Sequence, residues 1–317
     1  MAATLMARHA PWALVLLLSS AFVLVGADWD LTYVIPRRLL RLGAMLVGGV
    51  CVAWSAITFQ TLTGNRLLTP AVMGYEALYL LLQALLVLLL GSAGVVLLGA
   101  QGNVLLAASV MFGYSWVLHR WLLREGQHNL YFLLLVGLVL TLLLGSLTQF
   151  VQLKISPGEF SLLQGVSQTS FNRVQGAQLL VAALLVGGLA LLNRSQLNTL
   201  DVLALGRDQA RSLGVDYPRV LRRQLALIAA LVAISTSLLG PTAFMGVLVA
   251  NLAYRLATSY RHRLTLALGS AIAIVVFLIA QLLVEHLFNY KTTVGLLINL
   301  LCGGYFLVLL TRQRSHR

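Results

Sequence analysis

Long apolar runs separated by short polar stretches organise the whole chain, at residues 11–25, 42–59, 71–90, 104–118, 131–150, 178–192, 225–239, 244–254, 264–283 and 294–310. A helix crossing the hydrocarbon core needs about 20 mainly apolar residues, and most of these runs approach that length. A transmembrane barrel would instead show segments of about 10 residues alternating apolar and polar positions. Runs such as 77–90 and 131–144 are almost unbroken, so the pattern predicts helices, about ten of them. Ten spans take about 200 of the 317 residues and leave only short connections. The chain therefore reads as one all-α polytopic membrane domain over residues 1–317, with its two longest polar stretches at 151–177 and 194–223.

Composition agrees, with 59% hydrophobic and 10% charged residues and a mean hydropathy of +0.90, where soluble domains carry about 25% charged residues. A net charge of +13 can signal phosphate binding. In a polytopic membrane protein, however, Lys and Arg gather in cytoplasmic loops and set orientation, so no nucleic-acid partner is implied. With the N-terminus inside, sixteen of the 22 Lys and Arg residues fall in inside segments and only Arg37, Arg38, Arg41, Lys154, Arg173 and Lys291 fall outside. That split predicts both termini in the cytoplasm, the 194–223 stretch inside and the 151–177 loop outside, with lipid around the apolar faces. Arg8 ahead of the first run, with Gly26 and Ala27 after it, also fits a cleaved signal peptide. An even number of spans with both ends inside favours a retained helix.

Chemistry is sparse. Cys51 and Cys302 sit in apolar runs, where a thiol behaves as a small hydrophobe, and no disulfide framework or metal-ligand spacing appears. The phosphate-cradling G-x-x-x-x-G-K-[ST], the zinc motif H-E-x-x-H and the nucleophile elbow G-x-S-x-G are missing from the sequence. His9, His119, His128, His262, His286 and His316 are isolated and read as loop or interface residues. Glu76, Glu285 and His286 fall at the ends of apolar runs, so no intramembrane proton relay is expected. The chain itself is expected to hold no catalytic site, no cofactor and no metal.

Three segments stand out. Arg37, Arg38 and Arg41 cluster at the outer end of the second span, either as snorkelling side chains or as a docking surface for an acidic partner; Lys291 lies in the last outside loop. Within the inside stretch, residues 200–215 read as a short amphipathic helix, with Leu203, Ala210 and Leu213 on one face and Arg207, Asp208 and Arg211 on others. Gly206 permits a bend there, and Gly214 suits a helix C-cap. This is either a solvated connector or the surface that meets a cytoplasmic subunit. Finally, Gly240-Pro241 interrupts the apolar register before Phe244 and Gly246. Non-helical backbone at membrane depth survives only where protein or a cavity covers it, so the segment is either a gate element or a short outer turn.

These motifs resemble the FecCD-type permeases, the membrane subunits of bacterial ABC importers for ferric siderophores, haem and cobalamin. Pro36-Arg37, Leu46-Val47-Gly48-Gly49 and Phe59-Gln60-Thr61-Leu62-Thr63-Gly64-Asn65-Arg66-Leu67-Leu68-Thr69-Pro70 are similar to that family's second-span signature. Residues 203–215 resemble its cytoplasmic "LALG…A…LGV" stretch, and residues 240–249 its "GPIGFVGLVVPH". Val294-Gly295, Gly303-Gly304 and Phe306 resemble its C-terminal "PVGILTALIGGPFF". Asn251 stands where many members carry His, and Val34 where they carry a further Arg. Asn251 and the 63–70 sequence look like the branch that includes the vibriobactin and anguibactin permeases.

The resemblance implies the type II ABC-importer permease fold and import of a ferric siderophore of catecholate type across the bacterial inner membrane. It implies cytoplasmic ABC ATPase subunits, a second and different FecCD-type permease, and a periplasmic siderophore-binding protein. It places ATPase coupling at Leu203, Gly206, Arg207, Ala210, Leu213 and Gly214 and binding-protein docking at Arg37 with Arg38, to which Lys291 is added by its position in the last outside loop alone. The pathway or gate falls to Gly240, Pro241, Phe244, Gly246 and Asn251. The alternatives are an ion-coupled secondary transporter of a small solute and an importer permease for haem or cobalamin.

Overall fold

The computed structural model describes residues 2–25, 32–122, 130–242 and 244–314. Among them no strand occurs; the chain is a bundle of helices joined by short turns. Helix α1 (Ala2–Leu24) leads to α2 (Val34–Thr63), whose inner half is buried almost without a break from Cys51 to Gln60. α2 is the axis of the bundle, packed most extensively on α9 (Tyr217–Leu239) and α11 (His262–Leu282). Small residues permit this. A Cβ at Gly49 would lie 2.8 Å from Ile274 Cγ1 and 3.2 Å from the Ile274 backbone nitrogen. Close backbone approach through small residues is how helices associate in lipid, where burying apolar surface gains little.

The third and fourth apolar runs fold as one continuous element, α3 (Tyr75–Leu122), broken at Gly91 (φ +65°) and Gly99 (φ +67°). Its two limbs are antiparallel, because the Tyr75 hydroxyl donates to Ser115 Oγ at 3.2 Å and Gln83 Nε2 donates to Asn103 Oδ1 at 2.8 Å. The chain continues through α4 (Leu130–Gln152) and α5 (Pro157–Val166) to α6 (Gly176–Asn193). α5 lies inside the stretch read as the 151–177 loop. Its start is a capping box, in which Ser156 accepts from the Glu159 amide and donates to Glu159 Oε2 at 2.7 Å.

Two short helices, α7 (Leu197–Leu203) and α8 (Arg207–Ser212), precede α9, which Asp216 caps by accepting from the Arg219 amide. α10 (Met245–Leu256), α11 and α12 (Val294–Arg314) complete the chain, and α11 ends in a π-helical turn at Leu283–Leu287.

Among the described residues, five helical stretches are long and apolar enough to cross a membrane: Val34–Thr63, Leu134–Gln152, Gly176–Leu203, Tyr217–Leu239 and His262–Leu287. His9–Leu24, Tyr75–Gly91, Met245–Leu256 and Val294–Leu307 are shorter apolar helices. With the second limb of α3, each of the ten apolar runs has its helix. Leu138, Leu142 and Phe150 of α4 and Leu296 and Leu300 of α12 face outward, as apolar residues do when the solvent is lipid.

Candidate functional site

The segment expected to meet a cytoplasmic subunit is two helices rather than one. Gly206 adopts φ +103°, and this bend sets α8 at an angle to α7. The chain then turns at Gly214 (φ +80°), where the Gly214 amide donates to Arg211 O and the Val215 amide to Ala210 O. The bend divides the residues that the periodicity put on one face. Leu203 and Ala210 turn inward and join Leu200, Tyr217 and Leu221 in the core. Leu213 (62% exposed) stays outside, together with Leu205 (56%), which the periodicity did not single out. Arg207 stacks toward the Tyr217 ring at 5.8 Å. The exposed surface includes Leu205, Gly206, Asp208, Arg211, Leu213 and Gly214, supported from beneath by Leu203 and Ala210.

The break at Gly240-Pro241 is covered by protein. Gly240 has φ +93°, the Ser170 amide donates to Leu239 O at 2.8 Å, and Thr169 Oγ1 donates to Pro241 O. On the other side, the Thr242 amide donates to Glu76 Oε1 at 3.1 Å. Glu76 therefore reaches from the start of α3 to the segment after Gly240-Pro241. It lines a cavity of about 20 Å³ with Ser55 and Ala56 of α2, Val232 and Ser235 of α9, Thr242 and Gly246. A carboxylate just ahead of α10 also meets the positive end of that helix. Gly246 lets α10 close on α2, since a Cβ there would sit 2.8 Å from Ala56 Cβ.

The expected gate residues separate. Gly240, Pro241 and Gly246 gather around this seam. Phe244 is exposed and faces Phe306 of α12 at 6.4 Å between ring centroids. Asn251 is buried, donating to Arg66 O at 2.8 Å and Val247 O at 2.9 Å. Gln60 Nε2 donates to the same Arg66 carbonyl, so Asn251 helps to fix the turn after α2.

At the start of α2 the arginines part company. Arg37 is exposed and lies 4.3 Å from the Tyr33 ring centroid. Arg38 turns into the bundle and is 6% exposed. It donates to Phe22 O at 2.8 Å and to Val25 O, and pairs with Glu285 Oε1 at 2.6 Å. This corrects the docking assignment for Arg38: both ends of its guanidinium are engaged inside, clamping α1 and the π-helical turn to α2. Glu285 correspondingly is the partly buried partner of Arg38. Lys291 is exposed, six residues beyond Glu285 and so at the same end of the bundle as Arg37.

Among the described residues no cluster of His, Cys, Asp or Glu is arranged to hold a metal ion. A bundle with apolar helices of membrane-spanning length, a Gly-Pro break covered by protein and a bent two-helix segment at its Arg-rich end defines a polytopic membrane protein. The FecCD transport family model matches residues 4–312, and the chain belongs to that family. It is 35% identical to the petrobactin import system permease protein YclO of Bacillus subtilis (strain 168), over 95% of this chain and 97% of that protein. It is 34% identical to the petrobactin import system permease protein FatC of Bacillus anthracis, over 89% and 80% respectively. The fold matches a solved structure described as an inward-facing conformation of a metal-chelate type ABC transporter, with TM-score 0.82 and 19% identity over 96% of this chain and 98% of that one.

Proposed function

We propose that this chain is the permease subunit of an ATP-driven importer that moves a catecholate-type ferric siderophore, of the petrobactin class, across the bacterial inner membrane into the cytoplasm. The supporting observation is the near full-length similarity to two petrobactin import permeases. In this reading both termini are cytoplasmic, and a second, different FecCD-type permease completes the pathway. Cytoplasmic ATPase subunits meet α7–α8, and a periplasmic siderophore-binding protein meets the rim carrying Arg37 and Lys291. The seam around Gly240, Pro241, Glu76 and Gly246 is the gate. ATP binding shifts the paired permeases between two arrangements, and the ligand is moved without chemical change.

Uptake of labelled ferric petrobactin by cells lacking this chain tests the reading. Uptake should vanish and return with the chain in place, while haem and cobalamin uptake stay unchanged. Uptake driven by an ion gradient in vesicles without ATP would replace it with the secondary-transporter reading.

Leu213→Asp should abolish most uptake while the protein still reaches the membrane, because Leu213 is exposed in the free chain and a charge there becomes unpaired only when a partner covers it. Desolvating such a charge costs several kcal/mol. Co-purification with the ATPase measures the effect directly, and undiminished co-purification would remove α8 from the contact. Arg37→Glu should slow association of the binding protein about threefold to tenfold at low ionic strength, with the difference shrinking as salt shortens the Debye length to about 8 Å. Stopped-flow binding at two salt concentrations checks this.

A further inference from the structure

Beside α7, at the Arg-rich end, three elements meet through three side chains. Asp201 Oδ1 accepts from the His262 backbone amide at 2.7 Å and pairs with His262 Nδ1 at 2.6 Å. On the far side of the ring, His262 Nε2 lies 2.8 Å from Thr61 Oγ1. The Thr61 hydroxyl donates to Ile57 O at 2.9 Å, one turn back in α2. The ring is thus held at both nitrogens, by Asp201 on one side and Thr61 on the other. His262 is 4% exposed, although by its isolation in the chain it reads as a loop or interface residue.

We infer that Asp201, His262 and Thr61 are positioning residues forming a strut that carries displacement of α7–α8 into α2 and α11. Asp201 belongs to α7, His262 is the first residue of α11, and Thr61 lies in the last turn of α2. A ring held at both nitrogens has no rotamer to relax into, so movement at Asp201 must be followed or the bonds broken. It then acts on α2 and α11, the most closely packed pair in the bundle. A cavity of about 920 Å³ borders the strut, walled by Gln60, Arg66, Tyr254 and Tyr260 as well as the three residues themselves. The strut is therefore backed by space on one side, while Leu200 and Leu203 pack α7 onto the core on the other.

The inference rests on the proposed contact between α7–α8 and an ATPase, and two measurements separate the two ideas. In the assembled importer in proteoliposomes, Thr61→Val and Asp201→Ala should each lower siderophore transported per ATP hydrolysed by about tenfold, with ATPase association retained. Combining them should add little, because both cut one path. Thr61→Ser, which keeps the hydroxyl, should restore coupling. A Thr61→Val importer that transports normally per ATP, or a Thr61→Ser importer as defective as Thr61→Val, would overturn the strut. In the chain alone, Thr61→Val should raise amide hydrogen exchange across α7 and the first turn of α11; unchanged exchange would also overturn it. Failure of the wild-type chain to bind any ATPase would instead sink the functional reading, and the exchange measurement would still decide the strut.

Discussion

Arg38→Met should destabilise the protein by about 3–5 kcal/mol, the usual cost of removing one partner from a buried ion pair. The substitution strands the Glu285 carboxylate, which is 13% exposed at its side chain and has one oxygen without a partner even in the intact protein. It also frees the Phe22 and Val25 carbonyls at the end of α1. Cys51 and Cys302 are free and buried, so a thiol-reactive dye reports unfolding without any added label. The dye midpoint should fall by roughly 5–10 °C for a chain of this size. Replacing Arg38 and Glu285 together by Met should recover much of the loss, since an apolar pair of similar volume satisfies the site without a stranded charge. Arg37→Glu, one position earlier and exposed, should leave the midpoint where it was. An unchanged midpoint in Arg38→Met would mean that the clamp contributes nothing.

Gly240→Ala should be nearly as damaging, for a different reason. At φ +93° an L-residue is strained by about 1–3 kcal/mol, and the new Cβ would meet Gln168 O at 2.8 Å and Gln168 C at 3.1 Å. Those are backbone atoms, held in place by the Ser170–Leu239 hydrogen bond, so the collision is relieved only by opening the seam. Gly206→Ala is the control: its φ is +103°, but nothing lies within 4 Å of the added carbon. It should show the conformational cost alone, and the dye midpoint should rank Gly240→Ala well below Gly206→Ala. Equal midpoints would show that the contact with Gln168 is not tight.

The spans were legible because lipid imposes length and composition on a segment locally, whatever it packs against. What local sequence does not carry is the partner. Glu76 looked like a boundary residue because it opens an apolar run, yet it bonds Thr242, distant in the chain. His262 looked solitary for the same reason, although it pairs with Asp201. Arg38 was more readable: on a helix Arg37 and Arg41 share a face while Arg38 points about 100° away, so helical phase distinguishes the inward arginine from its neighbours. α5 also left a local signal, the Ser156-Pro157-Gly158-Glu159 capping box. The division of residues 200–215 into two helices turns on Gly206, where the sequence permits a bend but does not require one.

The α3 hairpin bears on biogenesis. Gln83 is buried, and its bond to Asn103 is made across the two limbs. Either limb entering the bilayer alone would carry an amide with no partner in hydrocarbon, where an unsatisfied polar group costs several kcal/mol. The smallest piece of this region that is comfortable in lipid is therefore the pair of limbs. The chain from Tyr75 to Leu122 should leave the insertion machinery as one unit, with the first limb retained beside the protein-conducting channel until Asn103 has been synthesised.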